Sequence, residues 1–188
     1  MTPTLYILAG PNGAGKTTAS IRLLPQVFKT DIFINADLIA ADLNPQNPEA
    51  AAIAAGRIML QQIDQRLAAL QTFAIETTLS SKGYLNLVRK AQLLGYEVVL
   101  FFFYLPSAAM AMQRVALRVS KGGHHIPNAV VERRYEAGLK MLFEYAAVVN
   151  EWFIYDNETQ PARLIAEGSR DFQRKIHNFD IWKLLKNK

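Results

Sequence analysis

The chain has 188 residues, 51% apolar and 20% charged, and carries a net charge of +5. That length suits about one domain with a core of its own, and the apolar share excludes global disorder. The absence of cysteine excludes a disulfide scaffold, a thiolate metal site and a thiol nucleophile.

Leu5–Ala9 is a short apolar run closed by Gly10, which predicts a first strand, and a helix is expected from about Gly15 to Leu24. The opening MTPTLYILAGPNGAGK has no basic leader and no small-residue cleavage site, so a cytoplasmic protein is expected. Ile32–Asn35 predicts a second strand. Residues 44–48 form a loop, with Asn47 as N-cap and Pro48 at the first helical position. Leu60, Ile63, Leu67 and Leu70 recur at helical spacing, so a helix fills Pro48–Leu70. Phe73–Glu76 predicts a third strand, and Lys82–Leu94 a helix that Gly95 stops.

Val98–Leu105 is the longest unbroken apolar run, far short of the ~20 residues a membrane-spanning helix needs. It predicts a central strand buried on both faces. A helix over Ser107–Val119, a loop at Lys121–Pro127 and a helix to Val149 follow. Trp152–Tyr155 and Arg163–Ala166 are the last expected strands, and residues 170–185 a terminal helix. Strands separated by helical crossovers imply one α/β domain over residues 1–188. Residues 107–140 and 170–188 each hold six basic against two acidic side chains, which favours anionic ligands such as polyphosphate or nucleic acid.

Between the first strand and helix lies Gly10-Pro11-Asn12-Gly13-Ala14-Gly15-Lys16-Thr17, followed by Thr18, a match to the Walker A pattern. Glycines let successive backbone N–H groups curl toward phosphate oxygens, and the helix N-terminus adds partial positive charge. Lys16 is expected at the β- and γ-phosphates and the Thr17 hydroxyl on Mg²⁺. The fold expected is a three-layer P-loop NTPase, with a central parallel sheet and helices on both faces.

No Asn-Lys-x-Asp segment for reading guanine is present, and the long apolar strand ends in Tyr104-Leu105-Pro106 without a metal-holding acid. The pieces of a kinase are present instead. Asp37 follows the second strand as a candidate base toward an acceptor hydroxyl. Glu76, Thr77 and Thr78 end the third strand on the same rim as candidate substrate contacts, Glu76 to hold a Mg²⁺-bound water or accept from an acceptor hydroxyl and the threonines to donate to a phosphate or sugar. Arg114 and Arg118 lie one helical turn apart, and Gly122-Gly123 hinge the way to Arg133 and Arg134, which suits a lid over residues 107–140. His124 and His125 are expected at the lid tip, and Tyr155-Asp156-Asn157 near an adenine edge.

Together GPNGAGKTT, INADLIA, FAIETTLS, RVALRVSKGGHHIP with ERRYEAGL, and FIYDN resemble the zeta-toxin family of P-loop kinases, over about Leu5 to Ala166. The resemblance implies transfer of the ATP γ-phosphoryl to a hydroxyl, that of a UDP-sugar in characterised members. It implies Asp37 as base, and lid arginines drawn from Arg118 and one of Arg133 or Arg134. Arg134 is assigned here to catalysis, and Arg114 and Arg133 to substrate binding. A small helical antitoxin is the partner it implies. The short stretch from Asp37 to Glu76, one loop and one Ala-rich helix, departs from a large sugar-nucleotide pocket. The competing classes are a nucleic-acid kinase and a non-catalytic ATP-binding module. The first would need exposed aromatics for base stacking, with Trp152 and Trp182 as candidates.

Overall fold

A computed structural model describes residues 2–23, 27–28, 30–123, 125–170 and 174–188. The first apolar run forms β1 (Thr4–Ala9), and the glycine-rich loop turns it into α1 (Lys16–Leu23). There follow β2 (Phe33–Ile34), α2 (Ala36–Leu43), a 3-10 turn at Pro48–Ala51 and α3 (Ala52–Ala68). Next come β3 (Phe73–Thr77), α4 (Gly83–Leu93), β4 (Glu97–Tyr104), α5 (Ala108–Ser120) and α6 (Asn128–Ala146). The chain closes with β5 (Glu151–Asp156), β6 (Arg163–Ser169), β7 (Arg174–Ile176) and α7 (Phe179–Lys186).

These strands form one sheet in the order β2-β3-β1-β4-β5-β6-β7, flanked by helices. The first five in that order are parallel to one another. Their carboxyl ends therefore share one rim, where open α/β sheets bind ligands. β4 occupies the centre, and Val98–Tyr104 is buried throughout, as its apolar sequence requires. A row of rings lies across the sheet: Tyr6 stacks on Phe28 at 4.1 Å, and Phe101 lies 5.1 Å from both Phe28 and Phe153.

The central parallel sheet is as expected, and three details differ. At one edge the sheet is extended antiparallel, β6 pairing antiparallel with β5 and β7 antiparallel with β6. The link between β5 and β6, residues 157–162, is shorter than the dozen or so residues a parallel crossover needs, so only a hairpin is open to it. The terminal helix is also shorter than expected, since Arg174–Ile176 joins the sheet edge before Asn178 caps α7. Three residues are too few for alternation to show. A further helix, α2, was not expected; Asn35 starts it by accepting hydrogen bonds from the Asp37 and Leu38 amides.

α6 packs close to the loop after β3, where a Cβ at Gly138 would lie 2.6 Å from the Thr78 carbonyl oxygen. In an open helix, Gly to Ala stabilises by about 1 kcal/mol. Here Gly138→Ala is expected to destabilise by about 1–3 kcal/mol through overpacking. Thermal unfolding followed by circular dichroism checks it, at roughly 2–4 °C per kcal/mol for a chain of this size.

Candidate active site

The phosphate loop curls because Gly10, Gly13 and Gly15 all take positive φ, at 139°, 78° and 76°. Gly10 has a second reason to be glycine: a Cβ there would collide with the Phe103 carbonyl oxygen of β4. Pro11 and Ala14 are buried, and the Ala14 amide donates to the Pro11 carbonyl at 3.2 Å. Thr18, the third residue of α1, is exposed and lines the larger of two cavities described below.

Lys16 is only 4% exposed, and its ammonium donates to the Pro11 carbonyl at 2.9 Å. Burial pushes its pKa below the ordinary 10.5, and the nearby Glu76 and Asp37 carboxylates partly oppose that shift. β3 lies beside β1 with Glu76 level with Leu8, which brings the carboxylate to the loop. Its Oε1 sits 3.6 Å from Lys16 Nζ. Its Oε2 accepts from Thr17 Oγ1 at 2.7 Å and from Asn35 Nδ2 at 2.9 Å. Glu76 is thus a hub joining the loop lysine, the loop threonine and the end of β2.

Asp37 stands in the first turn of α2 and is exposed. Asn35, not Asp37, caps that helix, so the Asp37 carboxylate is not engaged as a cap. Asp37, Lys16, Glu76, Thr77, Asn12 and Arg134 line a cavity of about 210 Å³, along with Thr78 and hydroxyls of the segment after β3. Leu79 in that segment has φ of 57°, a left-handed conformation that leaves its side chain fully buried between pocket-lining neighbours. Arg134 is half-buried, while Arg133 is exposed and lines neither cavity. Adjacent helical positions point about 100° apart, so one helix face cannot present both. Asn12 is 4% exposed, and its carboxamide oxygen has no hydrogen-bond partner among the described residues.

The larger cavity, about 980 Å³, lies on the other side of the loop. Arg114 and Arg118 both line it, as their spacing implied, together with Phe103, Tyr155 and Gly122-Gly123. The Arg114 guanidinium is already committed, donating to the carbonyls of Asn157 at 2.9 Å and Glu158 at 2.7 Å. It braces the β5–β6 link rather than standing open for a substrate. Asn157 is 4% exposed, donates to the Ala14 carbonyl at 2.6 Å and accepts from Gln160 at 2.7 Å. It therefore ties the cavity wall to the phosphate loop. Sequence reasoning placed Asn157 near a base edge and missed this link, which pairs residues 143 apart. Asn35 was legible only as part of a motif, and Asn12 only as a spacer in the loop. His125 is exposed, and His124 lies outside the described residues. Among those residues, no group of three or more His, Cys, Asp or Glu is arranged to hold a metal.

Residues 1–165 match the Zeta toxin family. The chain belongs to the zeta toxin family. An uncharacterized protein of Haemophilus influenzae is 33% identical over 126 residues, covering 67% of this chain and 88% of its own. The crystal structure of AvrRxo1-ORF1:-ORF2 with ATP superposes on 98% of this chain with a TM-score of 0.79 at 15% identity, and the match spans 63% of the other chain. The PezAT toxin–antitoxin system of Streptococcus pneumoniae superposes on 98% of this chain and 78% of its own, with a TM-score of 0.65 at 19% identity. These likenesses show the fold of this zeta toxin family member.

The cost of keeping the Lys16 charge buried is present below the ordinary lysine range and fades as pH rises toward 10.5. Glu76→Gln removes the neighbour that offsets that cost. The variant is expected to be less stable than the parent at neutral pH by about 1–3 kcal/mol, less than a direct buried pair because the contact is looser. The gap should close as the pH approaches 10.5, measured by urea denaturation across the alkaline range.

Proposed function

We propose that this protein is an ATP-dependent phosphotransferase that moves the γ-phosphoryl group to a hydroxyl of a small molecule. The observation that carries this reading is the placement of buried Lys16 and the Thr17–Glu76 pair at a phosphate loop that adjoins two cavities. The larger has room for a nucleoside, and the smaller holds Asp37 for an acceptor. In this reading Gly10 to Thr18 cradle the phosphates through backbone N–H groups and the N-terminus of α1. Lys16 holds the β- and γ-oxygens. Arg118 approaches from the nucleotide side and Arg134 from the acceptor side, so that residues 107–140 act as a lid. Thr77 and Glu76 contact the acceptor.

The transfer itself forms a bond from the acceptor oxygen to the γ-phosphorus as the bond to the ADP oxygen breaks. The acceptor proton passes to a carboxylate oxygen of Asp37. Magnesium fits the donors present, since Thr17 Oγ1 and Glu76 are hard oxygen ligands and this ion takes one or two such groups beside substrate phosphates. Bound there, it would neutralise charge on the β- and γ-phosphates.

A UDP-sugar is the acceptor, and a helical antitoxin the partner, that family membership suggests, and cytoplasmic action belongs to the same reading. A nucleic-acid acceptor is disfavoured. Trp152 and Trp182 are each 6% exposed and stack on one another at 5.9 Å, so neither offers a face to a base.

Incubation with γ-labelled ATP, Mg²⁺ and acceptors that include UDP-N-acetylglucosamine and tRNA tests the reading; label on a small molecule is expected, and label on tRNA alone would contradict it. Asp37→Asn keeps the shape and removes the proton acceptor, so turnover should fall about 10²–10⁴-fold with ATP affinity little changed. If Asp37 instead held the metal, Mg²⁺-dependent ATP affinity would fall with the rate. Steady-state kinetics beside ATP titration distinguish the two.

A further inference from the structure

Resting on the phosphotransferase reading, we infer that Asn35 is a positioning residue: by bonding Glu76 it holds Asp37, the proposed base, in place against the phosphate loop. Asn35 stands just past β2, the two-residue strand at the edge of the sheet, and is 5% exposed. β2 pairs with β3, Phe33 beside Ala74 and Ile34 beside Ile75. Two residues are fewer than an ordinary strand has, so the chain beyond them needs another anchor.

The Asn35 carboxamide supplies that anchor with both of its ends. Its Oδ1 accepts from the amides of Asp37 at 2.7 Å and Leu38 at 3.4 Å, which starts α2. Its Nδ2 donates to Glu76 Oε2 at 2.9 Å, across 41 residues of sequence. The same Glu76 oxygen accepts from Thr17 Oγ1 at 2.7 Å, and Glu76 Oε1 lies 3.6 Å from Lys16 Nζ. A chain of contacts therefore runs from the phosphate loop through Glu76 and Asn35 to the backbone of Asp37. Asp37 is near enough to the loop that its charge favours the ammonium form of Lys16, against the burial that pushes that pKa down.

The residue type at position 35 separates this role from capping. Asn, Asp and Ser cap helices about equally well. Asn alone of the three joins an acceptor for the helix amides to an amide donor for a buried carboxylate. Asp would set another carboxylate against Glu76, and Ser is shorter by one bond. Placement matters because a shift of about 1 Å in a reacting group can cost about 10²-fold in rate.

The test is a double-mutant cycle on the full chain: parent, Asn35→Ser, Asp37→Asn and the pair. Each is given γ-labelled ATP, Mg²⁺ and three acceptors, UDP-N-acetylglucosamine, D-glucose and glycerol. Rates are taken on the acceptor the parent labels fastest and expressed per ATP site counted by titration, so an unfolded fraction drops out. Asn35→Ser keeps the cap, so melting temperature and Mg·ATP affinity should change little while kcat falls about 10–100-fold. In the Asp37→Asn background the same substitution should cost less than about threefold, because a base that is gone cannot be misplaced. Equal losses in both backgrounds, kcat per site unchanged from the parent, or a fall in Mg·ATP affinity that matches the fall in kcat would each overturn the inference. Asn35→Asp, which keeps cap and size, takes the place of Asn35→Ser in the cycle if that variant does not fold. The phosphotransferase reading fails differently, by the absence of label on every acceptor with the parent, and the inference falls with it.

Discussion

A lysine ammonium held almost out of water is the constraint around which this site is arranged. A buried charge is tolerated only when it is hydrogen-bonded and faced by opposite charge. Lys16 meets the first condition through the Pro11 carbonyl and the second through Glu76. Both depend on chain topology. The loop curls back over the lysine because Gly10 passes against the β4 backbone, and Glu76 arrives because β3 pairs beside β1 in parallel register. Glu76 is itself held by Thr17 and Asn35, so the carboxylate that balances the lysine also orients the threonine hydroxyl. An incoming polyphosphate would meet a cation whose geometry is already set. Electrostatic preorganisation of that kind requires no rearrangement when charge develops.

The surroundings divide into two supports. On one side Asn157 and Arg114 connect the β5–β6 link to the phosphate loop and to α5, so the wall of the larger cavity is bonded to the loop. On the other side α6 presses against the segment after β3, so the wall of the smaller cavity and the helix bearing Arg134 are packed together. Residues 121–123, exposed or half-buried, lie between α5 and α6 along the mouth of the larger cavity.

The parts of the fold that were legible in the sequence are those with strong, local causes. β4 was plain because eight apolar residues in a row have no place except the middle of a sheet. The phosphate loop was plain because its glycines and lysine serve one short stretch of backbone. Helix α2 was missed because eight residues starting at an Asn cap look like a turn when the eye follows apolar spacing. Strand β7 was missed because three edge residues carry no periodic signal and the helical spacing of Ile181, Trp182 and Leu185 dominates the same segment. In the site, Glu76 was visible as a strand-end acid, but its bonds to Thr17 and Asn35 span 59 and 41 residues and depend on strand order. The role of Asn157 is likewise set by what folding brings within reach, which no local pattern records. The adjacent arginines 133 and 134 look equivalent in sequence, and only the rotation of α6 separates them.

The most direct test of the central claim is calorimetric titration of the Mg²⁺ complex of a non-hydrolysable ATP analogue, in two buffers of different ionisation enthalpy, as pH is raised toward 10.5. Burial holds the Lys16 pKa down in the free protein, and phosphate oxygens placed against the ammonium would raise it again. The account predicts binding with net proton uptake that grows across this range and disappears in Lys16→Met. Absence of binding, or binding with the same proton exchange in parent and variant, would contradict it.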